Sequence, residues 1–271
     1  MTEPNVISIW GPEGTWKTSV ALSWVDLGKL VHYEFDIGGF ARASWRFKPE
    51  QLALITSKRF ATPVQLEKLK GTTSVTSRLP KKLIGVKELW QSFVIDFVAT
   101  VQSDITSIVF DSATKLWNIV TRSYLQELQE KQLASGKFNE DTIRERLTQI
   151  EYGEPNDRMA TLIYTARQYE KNLILIHYPR DKYRDFVNSK GEKESVTTGE
   201  LEPDGFKETR KLIDLELHTE WGKDRNGTDT IQLRIVNKCA LIGVGTRGLG
   251  LYLPTPDYKG METLVKGLEG V

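Results

Sequence analysis

Near the start of the chain, Gly11-Pro12-Glu13-Gly14-Thr15-Trp16-Lys17-Thr18 stands between the apolar run Val6-Ile7-Ser8-Ile9-Trp10 and the helix-like run Ser19 to Trp24. A glycine-bearing turn that ends in Lys and Thr is the pattern of a phosphate loop. Backbone N–H groups of Gly11, Pro12, Glu13, Gly14, Thr15, Trp16, Lys17, Thr18 and Ser19 are the stretch that would line a polyphosphate, with the imino nitrogen of Pro12 contributing none. Lys17 brings positive charge and Thr18 brings a hydroxyl ligand for Mg²⁺. The helix that follows turns its positive end to the same place. One position breaks the strict pattern, because the residue before the lysine is Trp16 where glycine is expected. The Trp16 amide still serves if its φ is negative, whereas a positive φ costs about 1–2 kcal/mol in a residue with a side chain. The indole must then project outward, over a nucleotide or toward a neighbouring subunit. The departure bears on hydrolysis more than on binding.

Carboxylates stand where such a loop needs them. Ile108-Val109-Phe110-Asp111-Ser112 is an apolar strand ending in an acid, which places Asp111 to hold Mg²⁺ directly or through water. An acid there can equally be a helix cap. Glu34-Phe35-Asp36-Ile37-Gly38-Gly39 closes another strand with two acids, and either Asp36 or Glu34 could position or deprotonate an attacking water, or simply be a solvated turn residue. His177, at the end of Leu173-Ile174-Leu175-Ile176-His177, is a candidate sensor of the terminal phosphate or a satisfied strand-end histidine.

The elements that must position these groups are short apolar runs alternating with helical patterns, the signature of a parallel sheet covered by helices. Strands are expected over Val6 to Trp10, Leu30 to Phe35, Ser107 to Phe110 and Leu173 to His177. Between Val86 and Val101 the residues Val86, Leu89, Trp90, Phe93, Val94, Phe97, Val98 and Val101 recur at three- and four-residue steps, which predicts a helix. Leu116 to Leu128 and Met159 to Ala166 suggest two more, and Met261 to Leu268 a short one. Residues 181–206 turn polar and are expected to be a long mobile loop. Two strand-like runs, Lys211 to Trp221 and Thr230 to Val236, flank Asp224-Arg225-Asn226-Gly227, and Asn-Gly between such runs predicts a hairpin. The expected architecture is therefore a single α/β domain over 1–271, with a basic insertion around 42–88.

With 39% hydrophobic and 27% charged residues the composition is that of an ordinary globular protein, and a net charge of +1 argues neither for nor against nucleic acid. The charge is segregated, however. Between Arg42 and Glu88 eleven basic residues face three acidic ones, a local net of +8, which suits contact with a phosphate backbone as well as it suits a solvated face. Lys81 and Lys82 are the adjacent pair within it. A lone cysteine, Cys239, excludes an internal disulfide and a cysteine-built metal site. The start has no basic segment ahead of an apolar one, and no apolar run is long enough to span a bilayer, so a soluble cytoplasmic protein with no membrane partner is expected.

These motifs together resemble the RecA-like P-loop ATPases encoded by bacteriophages, the AAA-type nucleotide-binding proteins linked to recombination and single-strand annealing. The resemblance rests on Gly11 to Leu22, Glu34 to Gly39 and Ile108 to Trp117. It extends to Tyr152-Gly153-Glu154-Pro155-Asn156, Leu173 to His177, and Glu202-Pro203-Asp204-Gly205-Phe206-Lys207. It implies a RecA-like core that binds ATP with Mg²⁺, assembles into rings or filaments of like subunits, and acts on single-stranded DNA beside phage recombination or replication proteins in the host cytoplasm. By the same resemblance Lys17, Thr18 and Asp111 match the nucleotide and metal residues, Asp36 the catalytic acid and His177 the sensor. Lys238 and Arg247 become candidates for a basic residue that reaches a neighbour's phosphates. A nucleotide-binding scaffold with little turnover is the alternative that Trp16 raises. A small-molecule kinase would need an arginine-rich lid, of which only Arg180 and Arg184 are present.

Overall fold

The computed structural model describes residues 5–62, 81–137, 139, 142–187, 191, 193–224, 226–239 and 248–269. In chain order the elements are β1 (Val6–Trp10), α1 (Lys17–Leu22), β2 (Leu30–Glu34), α2 (Gly39–Ala43), α3 (Pro49–Leu52) and β3 (Ile55–Arg59). Then come α4 (Val86–Val101), β4 (Ser107–Asp111), α5 (Ala113–Ala134), α6 (Gly153–Gln168) and β5 (Asn172–His177). The remainder is β6 (Pro179–Val187), β7 (Lys193–Pro203), α7 (Thr209–Leu212), β8 (Leu215–Lys223), β9 (Asp229–Cys239) and α8 (Tyr258–Glu269).

Seven strands form one sheet in the order β3-β2-β4-β5-β1-β8-β9, parallel throughout except for the last hairpin pair. The α/β class expected from the sequence, a mainly parallel sheet flanked by helices and finished by a C-terminal hairpin, is the one observed. The central strands are apolar on both sides because helices cover both faces. On one face α4, α5 and α6 pack on Val31, Tyr33, Ile108, Phe110, Leu173 and Leu175. On the other, α1 and α8 pack on Ile7, Ile9, Val109, Ile174, Ile176, Leu215 and Leu217. Within the first layer Tyr33, Phe35, Phe93 and Phe110 form an aromatic cluster with ring centroids 5.1–6.4 Å apart. That cluster locks β2 beside β4, and the register pairs Glu34 with Asp111 at their carboxyl ends.

The structure corrects the expected loop at 181–206. Most of it belongs to an antiparallel hairpin of β6 and β7, paired from Pro179 with Pro203 out to Val187 with Lys193. Tyr183, Phe186, Val187 and Val196 supply β-propensity, but they are exposed, so no apolar alternation marks the strands in the sequence. β3 was also not anticipated. Its Ile55-Thr56-Ser57-Lys58-Arg59 has one buried apolar residue, as befits an edge strand. Lys211 and Leu212, expected to begin a strand, instead end a turn of helix, α7, that leads into β8.

Candidate functional site

The carboxyl edge of the sheet gathers the loop after β1, the end of β2 with α2, and the end of β4. The loop is shaped by backbone signs that mostly demand glycine. Gly11 has φ 152° and Gly14 φ 74°. A Cβ on Gly11 would lie 2.2 Å from the Thr219 carbonyl oxygen of β8, so that position has no room for a side chain. Trp16 takes φ 57° and ψ 23°, the left-handed conformation that glycine would supply, at the cost of about 1–2 kcal/mol of local strain. The expected condition of a negative φ is not met, and neighbouring contacts offset the strain. The Arg46 guanidinium lies 3.4 Å over the centroid of the Trp16 ring, and Trp221 of β8 meets it edge-on at 6.2 Å. Such stacks contribute about 0.5–2 kcal/mol. The indole therefore projects outward, as the sequence requires, and packs on its own chain.

Thr15 is fully buried and pins the loop: its hydroxyl donates to the Pro12 carbonyl at 2.7 Å and shares a 2.7 Å hydrogen bond with the Thr219 hydroxyl. Lys17 Nζ donates to the carbonyls of Gly11 (2.8 Å) and Pro12 (2.6 Å) inside the loop. Burial lowers its pKa, against the opposing charges of Asp111 and Glu13. Thr18 Oγ1 donates to Asp111 Oδ2 at 2.7 Å, joining the two residues proposed to hold metal although they are 93 apart in sequence. A hydroxyl and a carboxylate are hard oxygen donors suited to Mg²⁺, which takes few protein ligands and completes its shell with phosphate and water. Among the described residues no cluster of three or more His, Cys, Asp or Glu could hold a metal by itself.

Asp111 has two further neighbours. His32 Nε2 lies 3.2 Å from Asp111 Oδ2, with its Nδ1 2.9 Å from Ser57 Oγ. Gly39 approaches so closely that a Cβ there would fall 2.7 Å from Asp111 Oδ2. The two acids of β2 and its following turn now separate. Glu34 is buried and committed, accepting from Arg59 Nε at 3.0 Å and from the Phe40 amide at 3.2 Å. Asp36 accepts from the Ile37 amide at 2.9 Å and from the Tyr178 hydroxyl. Burial alone would raise the Asp36 pKa, but the Tyr178 hydroxyl, the Ile37 amide and the charges of Lys115 and Arg42 outweigh it and hold the carboxyl below its ordinary value.

A cavity of about 620 Å³ joins these groups, lined by Glu13 to Ser19, Asp36, Arg42, Asp111, Ile176 and Tyr178. His177 is not among them, which corrects its role as phosphate sensor. Along β5 alternate residues face opposite sides of the sheet: Ile174 and Ile176 pack on the α1 side, Leu173 and Leu175 on the other. His177 falls with the latter, lining a separate cavity of about 730 Å³ with Ser8, Arg180 and Arg210. Its Nδ1 donates to the Asp204 carbonyl at 2.9 Å, because a carbonyl can only accept. Burial lowers its pKa to about 4, so the ring is neutral at pH 7.

Lys238 stands near the end of β9, level with the start of β8 and so at the edge of the sheet away from the loop. Arg247 lies outside the described residues. Lys81 and Lys82 precede α4, where the Leu83 amide donates to Gln129 near the far end of α5. The basic segment is partly neutralised by Lys58–Asp96 (2.8 Å), Arg59–Glu34 (3.0 Å), Lys81–Glu145 (2.8 Å) and Lys87–Glu130. Residues 63–80 of it lie outside the described residues. Among the described residues no helix is long and apolar enough to cross a membrane.

Arg46, Tyr178, Thr219 and His32 were missed by sequence reasoning. Only His32 had a readable signal: it shares the period-2 face of β2 with Glu34. A KaiC-like protein from the hyperthermophilic archaeon Pyrococcus horikoshii is similar in structure, at 14% identity and a TM-score of 0.46, over 94% of this chain and 88% of that chain. No protein-family model matches the chain, and no curated protein matches it.

Proposed function

We propose that the chain binds ATP with Mg²⁺ and hydrolyses it slowly. The observation that carries this reading is the 2.7 Å contact between Thr18 and Asp111 beside a loop in which Trp16 takes the left-handed conformation that glycine would supply. Lys17 and the first-turn amides of α1 would hold the phosphates, and Thr18 with Asp111 would hold the metal, which when bound would supply charge neutralisation. Asp36 accepts a hydrogen bond from the attacking water. Because its pKa is held low it is a weak proton acceptor, so it orients water more than it deprotonates it, and Glu34 is occupied by Arg59. Both facts favour slow turnover, and they bring the scaffold alternative close.

Action on single-stranded DNA in phage recombination or replication, by a ring or filament of like subunits, is the wider part of the proposal. It is supported by the resemblance of the motifs and by the net +8 of residues 42–88, from which the four ion pairs subtract. Trp45, 74% exposed, and Trp221, 56% exposed, offer an apolar surface beside the loop for a neighbouring subunit, toward which Lys238 or Arg247 of that neighbour would reach.

ATP hydrolysis measured with and without single-stranded DNA tests the reading. Stimulated, steady turnover that Asp111→Asn abolishes at saturating Mg²⁺ is the expected result. Tight binding of a fluorescent ATP analogue without turnover would establish the scaffold instead. Undiminished binding by Lys17→Ala would remove the phosphate loop from the account altogether, since no other lysine lines that cavity among the described residues.

A further inference from the structure

We propose that Arg42 grips the terminal phosphate of a bound nucleoside triphosphate and so selects triphosphate over diphosphate; this rests on the nucleotide reading above. Three observations place it. First, Lys17 and Arg42 are the two cations among the described residues lining the cavity, against three acids, Glu13, Asp36 and Asp111. A triphosphate with one Mg²⁺ brings two net negative charges into a cavity that already has a surplus of acids, so a second cation facing it has a clear electrostatic purpose.

Second, α2 is packed so that its next turn must face the site. Gly39 lies against the Asp111 carboxylate, and residues three and four further along a helix share its face. Arg42 and Ala43 are those residues, and both line the cavity. Gly38 starts the helix at φ 88°, a conformation that sets this direction.

Third, the guanidinium is available. Of the described cations around it, Arg59 pairs with Glu34 at 3.0 Å, Lys58 pairs with Asp96 at 2.8 Å and Arg46 lies on the Trp16 ring, while Lys115, which also acts on Asp36, sits 5.8 Å from the Tyr178 ring and does not line the cavity. Arg42 has only a long 3.5 Å contact to the Ile37 carbonyl, together with the charge of Asp36, whose ionised form it favours. That proximity also identifies the phosphate. If Asp36 holds the attacking water, as proposed above, a cation beside it in the same cavity meets the terminal oxygens. A guanidinium suits them through paired, parallel hydrogen bonds.

The test is equilibrium binding of ATPγS and of ADP, each with Mg²⁺, by the parent, Arg42→Ala and Arg42→Lys. Arg42→Ala is expected to weaken ATPγS by about tenfold, the size of one charge-assisted hydrogen bond, with ADP affinity within about twofold of the parent. Arg42→Lys should recover part of the loss. Equal loss for both nucleotides, or loss for neither, overturns the assignment and leaves the nucleotide reading standing. A parent that binds neither nucleotide overturns that reading and the assignment with it. Repeating the pair in Asp36→Asn separates direct contact from action through the carboxylate: discrimination that persists supports the contact, and discrimination that vanishes overturns it.

Discussion

Trp16 shows how a residue of the wrong type keeps a loop in the right shape. A left-handed backbone is strained in tryptophan and relaxed in glycine, while the ring supplies contacts that glycine lacks. Replacement by glycine therefore removes strain and stack together, whereas alanine removes the stack and keeps the strain. Urea denaturation should find Trp16→Ala about 1 kcal/mol less stable than Trp16→Gly, which in turn retains nucleotide binding. Stability ranked the other way would mean that the strain is absent in solution. Tyr178 permits a sharper test at the same scale. Its hydroxyl helps to hold the Asp36 pKa low, so in Tyr178→Phe that pKa rises. If turnover needs ionised Asp36, the acidic limb of the rate profile moves to higher pH in this variant. A limb that stays in place would take Asp36 out of the reaction. The meeting of Lys17, Thr18 and Asp111 at one cavity was legible in the sequence because residue types and spacing along single segments place them at the same sheet edge. Tyr178, Thr219 and Arg46 were not, because each meets the site through tertiary contacts that no local pattern encodes.

Among the elements, those with a strong period or an apolar run could be read directly, and α4 falls on Val86–Val101, as its three- and four-residue spacing predicts. The strands β1, β2, β4 and β5 announced themselves for the same reason, being buried on both faces. The β6 and β7 pair did not, since both of its faces are largely exposed. The face on which a strand-end residue falls is equally hidden until the register is known, which is why His177 reads as a phosphate sensor and proves to be a prop under that hairpin through the Asp204 carbonyl. Its burial carries a pH signature. The unfolded imidazole gains a proton near pH 6.5 while the folded one stays neutral down to about 4, so the unfolded chain binds more protons in between. The stability it contributes is full above about pH 6.5 and is lost as pH falls toward 4. Between pH 7 and pH 5 the parent should lose about 2 kcal/mol that His177→Asn does not lose, by denaturant titration at the two pH values. Equal losses would show that His177 is not shielded from water.

For the molecule as a whole, the described part of the segregated charge is distributed. Arg42 and Arg46 stand at the mouth of the site, Lys58 and Arg59 lie on the edge strand, and Lys81 and Lys82 are found toward the far end of α5. Gln129, which contacts that last stretch, lies 14 residues beyond Lys115, so the lysine pair is roughly 20 Å from the nucleotide end of the sheet. If DNA follows the basic segment, Lys81→Glu with Lys82→Glu should weaken single-stranded DNA binding severalfold, reduce its salt dependence and leave nucleotide affinity unchanged. Unaltered DNA affinity in a titration at two salt concentrations would move the DNA surface to another part of the molecule.

The pairing of β1 has a consequence for how the chain comes into being. Its two neighbours in the sheet are β5 and β8, and the Val6 amide is closed by the Asp214 carboxylate, 208 residues later. Thr219, which pins the loop, comes later still. A ribosome adds about 5–20 residues per second, so the N-terminal strand waits on the order of ten seconds or more for its partners. Throughout that interval the apolar Val6–Trp10 segment is a sticky end without a sheet, and contacts of such long separation are slow to form even once the chain is complete. A strand made well before its partners is thus finished late, and nucleotide can stabilise the fold only after those partners are in place.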